Sequence, residues 1–260
     1  MKLLSRKGKT WERLGGIVDL AISSSNAASR SEAKPTIADI GTDHGLLAIA
    51  LAATGRYEKV LGVDVSSEAL ENGARSFHRK VQEALSKEKD SEDVETNELP
   101  VEFRFGDGLS VLDRGEAQAI AIAGMGVNTM AKILNEKDLD RVGTTTLFLQ
   151  PTNTKPANMI KLYDFLQASG WKPQQELLKY ISRRWYFSIA FERNDDACPS
   201  PSPELFGSLP GDILRQDGSM HHEFQLYVDH HRQWLERDLT SKGSLSKDES
   251  RWLNAYGSSS

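Results

Sequence analysis

The sequence predicts an α/β fold with a doubly wound parallel sheet, and two observations support this. Short apolar runs alternate with helical patterns: the runs fall near residues 36–40, 59–64, 101–105, 118–123 and 145–150, and the helical patterns near 46–54, 67–87, 126–135 and 156–169. This alternation is typical of a parallel sheet with helices on both faces. In addition, a glycine-rich turn follows the first strand, where Rossmann-like sheets hold nucleotide-like ligands.

Two elements outside this alternation are predicted from apolar spacing and from composition. Residues 10–22 carry an apolar face at helical spacing, which indicates an N-terminal helix that Gly15 and Gly16 would weaken. The acidic, aromatic-free run over 86–98 is expected to be a loop insertion before the third strand.

Beyond Gly170 the pattern changes to β-forming residues at close spacing, over 176–181 and 184–192. We expect these segments to form an antiparallel pair that closes one edge of the sheet. Arg183 and Arg184 would then lie near the turn between the two strands.

The C-terminal part of the chain is predicted to be helical. Residues 194–218 are rich in Pro, Gly and Ser, which indicates a linker. Helical patterns over 220–239 and 245–256 then predict a C-terminal helical hairpin. The expected organisation is an α/β domain over 1–193, the linker, and the hairpin over 219–260.

Composition limits the classes of protein that the chain can represent. With 260 residues, 38% hydrophobic and 27% charged, it is long enough for one α/β domain with an appendage. The single cysteine, Cys198, excludes a disulfide framework. No apolar run approaches the roughly 20 residues that span a bilayer, and the start lacks the apolar core of a secretory signal. We therefore expect no membrane partner and a cytoplasmic location, or an organelle if a presequence has been cut away.

Charge is distributed unevenly along the chain. The net charge is −5, but residues 1–34 carry seven basic and three acidic side chains, a net of +4. A local basic surface can bind nucleic acid even on an acidic protein. The other interpretation is that these side chains are simply solvated.

The turn after the first strand reads GTDHG over 41–45. Gly41 allows a sharp bend and a close approach of backbone to ligand, because it has no Cβ. Asp43 stands where a dinucleotide GxGxxG motif has its middle glycine, so the spacing from Asp39 favours an S-adenosylmethionine site. Asp64 ends the second strand and can accept hydrogen bonds from ribose hydroxyls. The alternative is an ordinary strand-to-helix turn.

The third and fourth strands end in further residues suited to this cofactor. Asp107, followed by Gly108, can accept a hydrogen bond from the exocyclic amine of an adenine lying across the strand ends. The fourth strand ends at Ala123, Gly124 and Met125, where small residues leave room for a substrate beside the methyl donor. Local turn chemistry explains each motif taken singly.

Candidate substrate contacts follow the fifth strand and the predicted edge pair. Gln150, Pro151 and Asn153 lie at the same edge of the sheet, where side-chain amides can read the edge of a base. Arg183 and Arg184 are candidate phosphate contacts. Loop polarity is the alternative explanation for each of these residues.

Asp43 and His44 are the candidate catalytic residues. Asp43 occupies a position that costs backbone freedom, which indicates a functional carboxylate that orients or deprotonates an amino group near the transferred methyl. His44 could act in the same way or could pack. The histidine pairs at 221–222 and 230–231 lack neighbouring cysteine and form no recognised ligand set, so no metal is expected.

Taken together, these motifs resemble the bacterial tRNA adenine-N1 methyltransferases that modify adenine 22. The resemblance covers Trp11 to Glu192 and rests on ADIGTDHGLLAIAL, the strand ending at Asp64, FRFGDGL, AIAGMG and LFLQPTN in that order. It implies a class I methyltransferase fold, S-adenosylmethionine as donor, tRNA as partner and a helical C-terminal appendage. It also implies that Asp43 lies near the target base, and that Arg13 matches the family's arginine in the N-terminal helix, near phosphate or the active site.

The chain departs from the family pattern at four places, one of which is the acidic run over 86–98. Val127 replaces a glycine, Thr152 is inserted before Asn153, and Arg183-Arg184-Trp185-Tyr186-Phe187 replaces a Gly-Lys-x-Tyr-Glu run. These departures keep two alternatives open: an inactive RNA-binding module on the same fold, and a methyltransferase for a non-RNA substrate. The sequence is compatible with a monomer.

Overall fold

A computed structural model describes residues 8–24, 33–87, 99–193, 209–217 and 221–256. Most of the acidic insertion and of the predicted linker lies outside these described residues, as does Cys198.

Within the described residues, seven strands form one sheet. They are Thr36–Ile40 (β1), Lys59–Asp64 (β2), Val101–Phe105 (β3), Ala119–Met125 (β4), Thr146–Pro151 (β5), Trp171–Ile181 (β6) and Arg184–Arg193 (β7). They lie in the order β3-β2-β1-β4-β5-β7-β6. The first five are parallel, which confirms the predicted doubly wound α/β fold, and each begins and ends within two residues of its predicted bounds.

The antiparallel pair at the sheet edge is confirmed and is longer than predicted. It consists of β6, Trp171–Ile181, and β7, Arg184–Arg193. The later strand β7 pairs with β5, so β6 forms the outer edge. The register of the pair shifts at Pro173, which has no N–H to donate to the ladder. Because Pro173 interrupts the β-forming pattern, residues 171–175 were not predicted as part of the strand.

In the described part of the chain, six helices up to the edge pair pack on the two faces of the sheet, and two of them differ from prediction. Helix 67–87 begins with a wide π-helical turn over Ala69–Ala74, and the predicted helix 126–135 ends early because Asn135 caps a separate helix with its side chain. The helices are Lys9–Ser23 (α1), Leu46–Ala53 (α2), Arg75–Lys87 (α3), Val127–Ile133 (α4), Glu136–Val142 (α5) and Pro156–Ala168 (α6).

The C-terminal helices are present as predicted, and they pack on the sheet. They are α7 (Asp212–Asp217), which lies inside the predicted linker, α8 (His221–Lys242) and α9 (Lys247–Tyr256). Tyr227 and Trp252 are fully buried and belong to the same apolar cluster as Phe187 of β7.

Alternate residues of the strands feed two cores, one on each face. Ile120 and Ile122 of β4 join the cluster under α4, α6 and the C-terminal helices, whereas Ala121 joins the cluster under α1 and α2. Within the described part of the chain, no helix is long and apolar enough to cross a bilayer.

Candidate active site

A cleft of about 940 Å³ opens at the carboxyl ends of β1 to β4. Its volume lies near the top of the range of about 300–1,000 Å³ that is usual for small-ligand sites, so the cleft has room for a cofactor and part of a substrate. All the predicted cofactor and catalytic residues line it, namely Arg13, Asp39, Gly41, Asp43, His44, Asp64, Asp107, Gly108, Ala123, Gly124 and Met125.

The β1–α2 turn brings its backbone close to β4. Gly41 has a φ of +73°, and an added Cβ would lie 2.1 Å from Cε of Met125. Any other residue would therefore strain the turn and would push the flexible end of the Met125 side chain aside. Asp43, two residues later, is also left-handed with a φ of 49°. A non-glycine residue held in this region costs of the order of 1 kcal/mol or more.

Asp64 fastens this turn to the end of β2. Its carboxylate accepts a 2.9 Å hydrogen bond from the backbone N–H of Asp43 and another of 2.9 Å from that of Ser66. The side chain is half-buried at the cleft wall. A carboxylate has about four acceptor sites, so Asp64 can also accept hydrogen bonds from the hydroxyl groups of a ligand.

Asp39 is buried at the base of the cleft. Thr42 donates its hydroxyl to the carboxylate at 2.8 Å, inside the same turn. Burial raises the pKa of Asp39 to about 7, and the hydrogen bonds from Thr42 and Ala48 and the charge of Arg13 only partly oppose this. Asp39 therefore stabilises the turn through its bond with Thr42, while Asp64 forms part of the cleft wall.

Asp43 and His44 lie side by side and face the solvent. Their side chains are 70% and 65% exposed, and Oδ1 of Asp43 lies 3.7 Å from Nε2 of His44. His44 also packs on the π-helical turn, since an added Cβ on Gly73 would lie 2.5 Å from its Nδ1. This contact holds the imidazole beside Asp43 at the mouth of the cleft.

Arg13 reaches the cleft from α1 over a bulge in β4. The register of β4 against β5 shifts between Ala123 and Met125, and Gly124 takes a φ of +82° there. An added Cβ on Gly124 would lie 3.0 Å from Nη1 of Arg13. The bulged glycine thus makes room for the guanidinium.

Gln150 does not line the cleft, contrary to its predicted contact with a base. The side chain is buried, and Nε2 donates to the backbone carbonyl of Arg13 and to Oγ of Ser188, both at 2.8 Å. Gly16 permits this packing, because an added Cβ would lie 2.5 Å from Oγ of Ser188. Gln150 therefore fixes α1 to β5 and β7.

The other predicted substrate residues also lie outside the cleft lining. Pro151 is buried, and the exposed Asn153 accepts a hydrogen bond from the backbone N–H of Lys155. Arg183 and Arg184 are exposed at the β6–β7 turn. The structure brings together the predicted cofactor and catalytic residues, but not these five.

Several further residues line the cleft that the sequence patterns did not indicate. Lys132 of α4 and Thr10 of α1 line it, as does Asn135, the cap of α5. Lys132 lies in the second turn of α4, the helix that follows the Gly124 bulge. Val127, where the chain departs from the family pattern, is buried in the core and does not line the cleft.

A model of the methyltransferase domain family matches residues 25–189, and the chain belongs to this family. Within it, the chain is similar to the tRNA (adenine(22)-N(1))-methyltransferase of Bacillus subtilis (strain 168), at 32% identity over 118 residues. That match covers 45% of this chain and spans about half of the relative, 48% of its length.

Solved structures share the whole architecture. A putative tRNA (m1A22) methyltransferase of Streptococcus pneumoniae, in complex with S-adenosyl-L-methionine, has a TM-score of 0.63 at 21% identity, over 95% of this chain and 97% of the other. TrmK of M. capricolum, in complex with S-adenosyl-homocysteine, has a TM-score of 0.59 at 18% identity, over 93% and 91% of the two chains. At these identities the likeness establishes the fold.

Proposed function

We propose that this protein is an S-adenosylmethionine-dependent tRNA methyltransferase that modifies N1 of an adenine, at position 22 as in the relatives. The observation that carries the proposal is the cleft, which places an exposed carboxylate, Asp43, beside the strand ends suited to the methyl donor. The names of the B. subtilis relative and of the S. pneumoniae structure support the same substrate. A tRNA substrate suits a cytoplasmic protein.

The residues of the cleft fit the proposed donor. Asp64 would accept hydrogen bonds from the ribose hydroxyls, and Asp107 would accept one from the adenine amine. Gly41 and Gly108 would let the backbone approach the donor closely. Gly41, with Met125 against it, and Gly108, with a φ of +56°, are both positions where only glycine fits without strain. The donor supplies an electrophilic methyl group on a sulfonium.

Asp43 would act on the acceptor base. Adenine N1 is a weak nucleophile that gains positive charge as it is methylated, so a carboxylate at N6 both orients the base and offsets that charge. Asp43 is 70% exposed and projects from a strained turn, so it can meet a base entering from solvent. The adenine must leave its stack to reach this position.

Arg13 and Lys132 would hold the RNA backbone rather than the reacting ring. A cation beside a ring that is becoming positive would oppose the reaction. Both side chains line the cleft, and phosphate oxygens of an extruded nucleotide are their natural partners. Arg13 can reach one through the space above Gly124.

The experiment that tests this proposal measures transfer of labelled methyl from S-adenosylmethionine to unmodified tRNA. We expect label in tRNA but none in protein or free adenosine. Label in protein or in a small molecule would assign the cleft to another acceptor. Donor binding by calorimetry without transfer would indicate an inactive RNA-binding module.

A further inference from the structure

We propose that the tip of the β6–β7 hairpin is a second RNA contact, at which Tyr180 and Trp185 stack an unpaired base and Arg183 and Arg184 hold its phosphates. This inference rests on the proposed function, because it takes RNA as the substrate. It adds the aromatic pair and a role for the strained turn to the predicted phosphate contacts.

The register of the sheet places this tip above the edge that carries the cleft. Leu149 of β5 pairs with Ile189 of the antiparallel β7, so Pro151, where β5 ends, is level with Phe187. Arg184 lies three residues further, about 10 Å beyond the carboxyl end of β5. An RNA strand that enters the cleft beside β4 therefore passes the hairpin two strands away.

Two aromatic rings form a partly exposed shelf at this tip. Tyr180 and Trp185 are cross-strand partners with ring centroids 4.6 Å apart, and Tyr180 is 56% exposed. Trp185 is held from below, edge-on, by the buried ring of Tyr227 at 5.7 Å. A rigid ring supported in this way can stack on any of the four bases.

The charge of the tip suits a phosphate backbone. Arg183 and Arg184 are both exposed, and neither has a carboxylate within ion-pair distance in the described ranges. By contrast Lys179, three residues before the turn, pairs with Asp19 at 2.8 Å. The tip thus carries two uncompensated positive charges next to the aromatic shelf.

The backbone of the turn is strained where these side chains are presented. Ser182 and Arg183 form a two-residue loop with φ values of 50° and 65°. Such a loop is the natural place for Asn-Gly, since both residues are left-handed. Strain held in a non-glycine residue indicates that its side chain has a use other than stability.

Replacement of Arg183 by glycine separates that use from folding. R183G removes the strain and the charge together, so we expect an unchanged or higher thermal midpoint but about ten-fold weaker tRNA binding. The slope of log binding constant against log salt should fall by about 1. A merely structural turn would show the gain in stability and no change in this slope.

Three further variants test the aromatic shelf and control for charge. Y180A should weaken tRNA binding about ten-fold, and Y180F, which keeps the ring, should restore it. K172A removes an exposed charge from the other end of β6 and should leave the dissociation constant for tRNA unchanged. The dissociation constant for S-adenosylmethionine should be the same in all four variants.

Wild-type tRNA binding and salt slope in both R183G and Y180A would overturn the inference while leaving the proposed function intact. If the wild-type protein transfers no methyl to tRNA but these variants still weaken tRNA binding, the proposed function fails and the hairpin contact stands. If the wild-type protein does not bind tRNA at all, both fail.

Discussion

Asp43 combines a strained backbone with an exposed carboxylate. Its left-handed φ and the hydrogen bond from its N–H to Asp64 are features of the turn, whereas its side chain forms no part of the turn's support. Backbone and side-chain roles can therefore be separated by substitution, because asparagine also tolerates the left-handed region.

We predict that D43N lowers the rate of methyl transfer at least 100-fold, since it removes the charge that offsets the methylated ring. The dissociation constant for S-adenosylmethionine should change less than about three-fold, because the backbone contacts to Asp64 remain. Single-turnover kinetics and calorimetry measure the two quantities. A normal rate in D43N would exclude Asp43 as the group that acts on the base.

Gln150 illustrates what sequence reasoning misses at the residue scale. Its place at a strand end suggested a base contact, but its side-chain nitrogen bonds a carbonyl 137 residues earlier in the chain. The same long-range contact explains Gly16, which looked only like a weakness of α1. Neither partner can be identified from local pattern, because the contact exists only once α1 packs across β5 and β7.

We predict that Q150L lowers the free energy of unfolding by about 1–3 kcal/mol, because it removes the two hydrogen bonds that join α1 to β5 and β7 and leaves the buried Ser188 hydroxyl without this donor. The KM for tRNA should also rise, since Arg13 loses its fixed position. S188A is the matched control: it keeps the bond to Arg13 and should affect KM little. Urea unfolding and steady-state kinetics provide the test, and equal effects of the two substitutions on KM would contradict it.

At the scale of elements, a buried carboxylate joins β6 to α6 and to the segment around α7. Glu176 accepts hydrogen bonds from Tyr163 and from the backbone N–H groups of Gly211 and Leu214. Burial raises the pKa of Glu176 to about 7, and these bonds oppose the rise only in part. Asp39 is raised to a similar value for the same reason.

Both groups make stability fall as pH rises. Each folded pKa lies above its ordinary value, so the folded state keeps protons that the unfolded chain has lost between about pH 4 and 7. We predict that the free energy of unfolding decreases from pH 5 to pH 8, and that the decrease is smaller in E176Q, which cannot ionise there. An equal decrease in E176Q, measured by urea unfolding, would contradict the assignment.

Elements with a strong period were predicted correctly, and the irregular ones were not. The five parallel strands follow from buried apolar runs such as Ala119–Met125. The π-helical turn at Ala69–Ala74 has no sequence period of its own and accompanies the contact of His44 with Gly73. Asn135 is a residue type that favours the start of a helix, but the helical pattern over 126–135 continued up to it, so the start of α5 was not predicted.

For the whole molecule, the C-terminal helices share the core of the sheet. Phe224, Tyr227 and Trp252 are buried in the cluster that contains Phe187 of β7, and Tyr256 donates to Asp212 of α7 at 2.6 Å. The domain and the hairpin predicted from the sequence therefore share one hydrophobic core.

We predict one cooperative thermal transition for the full chain, with no separate melting of the helices. A chain that ends at residue 193 should aggregate or unfold, because it exposes the aromatic face of β7. Calorimetry checks the first expectation and expression of the shortened chain the second. Two resolved transitions would show that the hairpin folds as an independent unit.

The cleft, the turn that carries Asp43 and membership of the methyltransferase domain family all support the proposed methyl transfer. The most direct measurement is nucleoside mass spectrometry of unmodified tRNA after incubation with the protein and S-adenosylmethionine. We expect 1-methyladenosine, formed once per tRNA and lost when adenine 22 is replaced by guanine. A different methylated nucleoside, or 1-methyladenosine that persists in the replaced tRNA, would contradict it.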